Sequence, residues 1–183
     1  MQRIYTRNGD QGTTALINGT QVDKDHPLIE LNGLIDTCNS YLGVARSVDT
    51  TSYLDIVLKK IQGSLLQAGA EVSLNGMPTQ SCPVLQQPDI DELERIIDDV
   101  EEQLPSLTHF ILPAGTPASA HLHVARTLSR SVERGLATLD ASWISQSALQ
   151  PYFNRLSDAL FVLARYAQHQ RGEPEEVWNP TQD

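Results

Sequence analysis

The sequence predicts an all-α protein, a five-helix bundle behind an irregular N-terminal arm, with 183 residues in a single domain. Three observations predict it. Apolar residues recur at spacings of three and four in five successive stretches. Connections rich in Gly, Pro and Asn separate those stretches. Helical segments outnumber any strand signal.

Residues 1–24 are rich in Gly, Thr and Asn and have no helical period, so they form an ordered arm. The first helix begins near His26, with Asp25 as N-cap and Pro27 in the first turn. Its stripe is Leu28, Leu31, Leu34, Ile35, Cys38, Leu42 and Ala45. The second, about Thr51 to Leu74, aligns Leu54, Val57, Leu58, Ile61, Leu65 and Val72, and Ser52 with Asp55 makes a capping box. Residues 75–88 are a connection. The third helix, about Asp89 to Leu104, places Ile90, Leu93, Ile97, Val100 and Leu104 on one side. Its acidic run, including Asp91, Glu94, Asp98, Glu101 and Glu102, is a solvated outer face. An apolar turn from His109 to Pro117 precedes the fourth helix, which runs to about Asp140. The fifth spans about Gln146 to Gln170, so the bundle covers 25–170 and a tail covers 171–183.

Composition narrows the function. A formal net charge of -10 argues against a general nucleic-acid binder or a binder of acidic membranes. An anion site on such a chain requires a local concentration of positive charge. Cys38 and Cys82 make neither a metal-ligand spacing nor a disulfide framework, so a reduced, cytoplasmic setting is expected. The first residues contain no apolar signal core, and no stretch is long and apolar enough to span a bilayer.

The fourth helix holds the strongest charge feature. Arg126, Arg130 and Arg134 are four apart and Glu133 is seven after Arg126, so all four project from one side. Val124, Leu128, Val132, Leu136 and Leu139 take the other. An isolated row of this kind is best read as surface arginines paired to the acidic helix. A single Glu among arginines also suits a site where it orients guanidinium groups toward a polyanion. On the fifth helix, Arg155 and Asp158 are one turn apart and form an ordinary intrahelical pair. Asn154 is evenly balanced between a satisfied core amide and a donor to a ligand. In the arm, Thr6 to Thr14 offers two glycines and several hydroxyls whose backbone N–H groups can face phosphate oxygens. The spacing is not that of a Walker A loop, and an Asn-Gly-Asp segment alone is more often a plain turn. Lys24 adds a point charge nearby, of a kind that is usually solvated.

Taken in order, IYTRNGDQGTT near the start, GLIDTCNSYLGVAR, FILPAG, LHVARTLSRSVERGL and YFNRLSDALFVLAR span nearly the whole chain, ending near Trp178. This ordered set resembles the PduO-type ATP:cob(I)alamin (corrinoid) adenosyltransferases. The resemblance implies a five-helix bundle assembled as a homotrimer, with ATP between neighbouring subunits. It implies that Thr6, Arg7, Asn8, Gly9, Gly12 and Thr14 wrap the phosphates, and that Lys24, Arg130, Glu133, Arg134 and Asn154 complete the nucleotide site. Arg126 would pair with Asp36 across the interface. Phe110 would lie beneath the corrin ring, with His123 at another position near the site. The implied substrates are ATP with Mg²⁺ and cob(I)alamin, and the implied product is adenosylcobalamin with release of triphosphate. Arg130, Asn154 and Phe110 are the residues closest to the chemistry. A cobalamin reductase or a cobalamin-dependent enzyme is the implied protein partner.

The chain departs from the family pattern at several positions. It reads Asn8-Gly9-Asp10-Gln11-Gly12 for the usual TGDKG, and Asp36-Thr37-Cys38 for DEL. It reads Arg130-Ser131-Val132-Glu133-Arg134 for RRAER, with Ala114 for a glycine of LPGG. Gln21 and Val22 stand where basic residues are usual. These changes imply altered affinity. The alternatives are a non-catalytic ATP or corrinoid binding module on the same scaffold, and a helical bundle whose arginines make only subunit contacts.

Overall fold

The computed structural model describes residues 5, 7–48, 51–77 and 82–179. Five helices dominate, with one small two-stranded sheet in the arm. Strands β1 (Thr13–Ala15) and β2 (Gln21–Asp23) pair antiparallel with Thr14 opposite Val22. The arm, read from the sequence as irregular, thus carries one short hairpin beside the expected five helices. Three-residue strands are too short to show alternation in sequence. The hairpin is held instead by tertiary contacts: Leu16 is buried in the core, and Asn18 Nδ2 donates to the Leu74 carbonyl at 3.2 Å.

Helix α1 spans Pro27–Ser47, α2 Ser52–Leu74, α3 Gln87–Glu101, α4 Pro117–Thr138 and α5 Leu149–His169. The N-cap of α1 is His26, not Asp25: its Nδ1 accepts from the Leu28 N–H at 3.2 Å. Asp25 lies one residue further out, in the turn that leaves β2. At α2 the cap is Thr51, whose Oγ1 accepts from the Leu54 N–H, so the Ser52–Asp55 capping box does not form. Asp55 is taken by Arg46 of α1, with Nε at 2.8 Å. Helix α3 buries Ile96 fully and Ile97 only partly, and it begins two residues earlier than expected. The segment around Gln146 is a short 3₁₀ turn, and α5 begins at Leu149. Pro151 falls in its first turn, where a missing N–H breaks no helical bond.

Helix α4 packs between α1 and α5, α1 also packs on α2, and α5 also packs on α3. Leu, Ile, Val and Ala fill most of the core, joined by the buried rings of Tyr152 and Phe153. The acidic residues of α3 named above all face outward. Its Glu92 bonds Lys60 of α2 at 3.1 Å, a partly exposed pair worth at most about 1 kcal/mol. Among the described residues no helix is long and apolar enough to cross a membrane.

Candidate functional site

Helix α4 presents its arginines differently from the expected single exposed row. Its buried face is Leu122, His123, Ala125, Ser129, Val132 and Leu136, while Val124 is exposed. Arg126 is therefore half-buried at the edge of that face, and Arg130 and Arg134 are exposed. The Nε of Arg126 is buried and has no hydrogen-bond partner among the described residues. Desolvation, and then the Arg130 charge, lower the Arg126 pKa from its ordinary value. Arg126 and Arg130 open onto a concavity shared with Arg155, Asp158 and Phe161 of α5 and Glu101 of α3.

The acidic helix does not neutralise this row. Its Glu94 pairs with Arg155 instead, at 3.0 Å, and Asp158 adds the expected intrahelical contact at 3.2 Å. Among the described residues no ion pair engages Arg126, Arg130 or Arg134. Arg134 Nη2 donates only to Ser131 Oγ, at 3.0 Å. Glu133 orients no guanidinium here: its Oε1 accepts from Asn154 Nδ2 at 2.8 Å. Asn154 is exposed, so it is not a core amide.

The arm folds back on itself next to Lys24. The Asp10 N–H donates to the Arg7 carbonyl, the Gly12 N–H to the Gly9 carbonyl and the Lys24 N–H to the Gly12 carbonyl at 2.8 Å. Arg7 (φ 64°) and Gly12 (φ 86°) both adopt left-handed backbone, which gives the loop its tight reversal. A side chain on Gly9 would press within 3.2 Å of Lys24 Nζ, so the glycine lets the ammonium lie over the loop. Asn8 and Arg7 are exposed on its outer side, and Thr14 lies in β1. Thr6 lies outside the described residues. No described arm residue lines the α4–α5 concavity. Asp36 is likewise apart from Arg126: it lines a separate groove between α1 and α2 with Ile17, Leu66 and Gly69.

Phe110 is 78% exposed. Its backbone accepts from the Trp178 N–H at 2.8 Å, and its ring meets that of Trp178 edge-on at 6.3 Å. His123 is only 4% exposed, with Nδ1 unpartnered. Burial, and then the nearby Arg126 charge, lower its pKa to about 4, so the imidazole is neutral at pH 7. Sequence reading passed over Arg165, Gln168 and Gly115, which anchor the Phe110 segment from below. Their only signal was a pair of polar residues one turn apart in an otherwise apolar helix end.

The profile of the family described as cobalamin adenosyltransferase matches residues 4–167. The chain belongs to this family. It is 41% identical over 167 residues to a corrinoid adenosyltransferase of Citrobacter freundii, covering 90% of this chain and 94% of that protein. It is 38% identical over 188 residues to a corrinoid adenosyltransferase of Mycobacterium tuberculosis, covering 100% of this chain and 96% of the relative. Among solved structures, it matches a variant PduO-type ATP:corrinoid adenosyltransferase from Lactobacillus reuteri complexed with cobalamin and ATP. That match has a TM-score of 0.85 at 30% identity and covers 97% of this chain and 99% of the other. Membership in the cobalamin adenosyltransferases thus rests on sequence and fold over nearly the same residues.

Proposed function

We infer that the chain transfers the 5′-deoxyadenosyl group of ATP to the cobalt of cob(I)alamin or a related reduced corrinoid. The observation that carries this reading, beside family membership, is the arginine row of α4. Three guanidinium groups stand without an ionic partner among the described residues of a chain whose net charge is -10. A triphosphate is the polyanion this row suits.

The reaction is a displacement. The electron pair on Co(I) forms the bond to the ribose C5′ carbon, the C5′–O5′ bond breaks, and triphosphate leaves with the electron pair of the broken C–O bond. No protein nucleophile is required, so the protein's part is alignment and stabilisation of the leaving charge. Arg130 and Arg134 face the phosphates in this reading. Asn154 and Glu133 hold each other at the α4–α5 seam and face the nucleotide from beside them. Arg7, Asn8, Gly9, Gly12, Thr14 and Lys24 supply the arm side. Among the described residues no three His, Cys, Asp or Glu side chains gather as a metal site. Mg²⁺ would arrive bound to the nucleotide, where it neutralises phosphate charge. Phe110, exposed on its lobe, provides an apolar face for the corrin ring.

The described arm residues and the arginine row do not meet within one protomer, which supports a homotrimer in which one subunit's arm completes a neighbour's site. The same assembly gives the orphaned Arg126 Nε a partner in Asp36 of an adjacent copy. The free thiols Cys38 and Cys82 suit a reducing, cytoplasmic compartment.

The test is direct. Mixing the protein with ATP, Mg²⁺ and chemically reduced cobalamin should produce the absorption spectrum of adenosylcobalamin. ATP binding without product would make the chain a binding module, and no nucleotide binding would overturn both readings.

A further inference from the structure

At the C-terminal end of α5, two buried side chains one turn apart each grip the same two segments. Arg165 donates from Nη2 to the Pro105 carbonyl at 2.8 Å and from Nε to Glu175 Oε1 at 2.6 Å. Gln168 accepts from the Thr116 N–H at 2.7 Å and donates from Nε2 to the Pro174 carbonyl at 3.0 Å. Each side chain thus bonds both to the connection before α4 and to the C-terminal tail. Those two segments are paired with one another. The Leu112 N–H donates to the Glu176 carbonyl and the Trp178 N–H to the Phe110 carbonyl, both at 2.8 Å, around the Ile111–Val177 bridge.

Apolar packing does not explain this arrangement. Arg165 is 4% exposed, and burying a guanidinium is costly unless its donors are met. Its ionic partner lies in the tail, outside every helix. Below the paired segments is a cavity lined by Ile111, Ser119, His123, Arg165, Gln168 and Glu175. The lobe therefore sits over a hollow, and hydrogen bonds rather than close packing fix its height. The backbone is shaped to admit one of them. Gly115 has φ 107°, and any side chain there would overlap Gln168 Oε1.

We propose that Arg165 and Gln168 are positioning residues that set the Phe110–Trp178 lobe against the corrinoid, acting through the paired 110–112 and 176–178 segments. This rests on the reading of Phe110 as the corrin-facing side chain. Neither clamp residue bonds to Arg130, Glu133, Arg134 or Asn154, so the effect is confined to one of the two substrates.

Two variants test it. Gln168→Leu removes two bonds without stranding a charge, and Glu175→Ala removes the ionic partner that Arg165 has in the tail. Hydrogen exchange at the Leu112 and Trp178 amides should accelerate by about tenfold or more in both, with α1 and α2 amides unchanged. In turnover, kcat/KM for cob(I)alamin should fall about tenfold while KM for ATP stays within about twofold. Unchanged exchange at those amides, or equal losses for both substrates, would overturn the proposal. If the unaltered protein made no adenosylcobalamin, the functional reading would fall and the corrin role with it, while the exchange data would still decide the clamp.

Discussion

Asn154 Nδ2 donates to Glu133 Oε1 at 2.8 Å, tying α5 to α4 beside Arg130 and Arg134. The bond lies at the surface, so it contributes only about 0.5–1.5 kcal/mol to folding. Asn154→Ala should therefore shift the melting temperature by a few degrees at most. ATP use should fall further than that loss explains, because Glu133 is released toward the arginines. Calorimetric titration with ATP beside a thermal melt separates the two effects, and a loss of affinity no larger than the loss of stability would count against a nucleotide role.

Arg130→Ala should leave fold and oligomer intact, since the side chain is exposed and has no internal partner among the described residues. Losing one charge-assisted contact to the triphosphate corresponds to about 1.5–3 kcal/mol, or roughly ten- to a hundredfold in kcat/KM for ATP. Steady-state kinetics measure it. Normal turnover would show that the arginine row has been misassigned.

Phe110→Ala removes a ring that is mostly in solvent, so stability should change by less than about 0.5 kcal/mol. Adenosylation should slow while ATP affinity survives. Parallel ATP titrations and single-turnover rates with cob(I)alamin provide the comparison, and equal losses in both would contradict a corrin-face role.

If the proposed trimer pairs these residues, Arg126→Asp should weaken assembly, because a carboxylate would then face Asp36 of an adjacent copy. Combining it with Asp36→Arg should restore the oligomer by exchanging the charges. Sedimentation velocity of the single and double variants reads this out. Failure of the double variant to recover, with the single variant dissociated, would place the partner of Arg126 elsewhere.

His123 predicts an acid-side loss of stability. Its pKa is lowered from 6.5 to about 4 in the folded chain, by burial first and the Arg126 charge second, with Glu175 opposing them. Between those values the unfolded chain binds the proton and the folded chain does not. The His123 contribution is therefore intact above about pH 6.5 and is lost as pH falls toward 4, with a slope of up to about 1.4 kcal/mol per pH unit. Urea midpoints at pH 7 and pH 5 should converge in His123→Leu relative to the unaltered protein. An identical pH dependence in the two would remove His123 from the account.

The helices, their order and most of their buried stripes were legible in the sequence, because a period of three and four is a local property that the core face preserves. Helix boundaries were less so. Thr51 rather than Ser52 caps α2, and Asp55 turns to Arg46, a residue of another helix. The arginine row of α4 and the glycines of the arm were visible as residue types at suggestive spacings. Their sequence could not say that Arg155, not Arg126, Arg130 or Arg134, meets the acidic helix, nor that Glu133 bonds Asn154.

The Phe110 lobe shows the division most sharply. FILPAG identified the segment, and its resemblance to a family suggested what it meets. Only the tertiary structure brought the tail to it, hung both from Arg165 and Gln168, and left a hollow beneath. Those bonds join positions 105, 116, 165, 168, 174 and 175, which share no local period. They exist because the end of α5 faces the connection before α4 and the C-terminal tail at once. Local spacing determined which residues become helix and which faces are apolar. The unpaired charges and the height of the exposed ring were decided by the packing of helices distant in sequence.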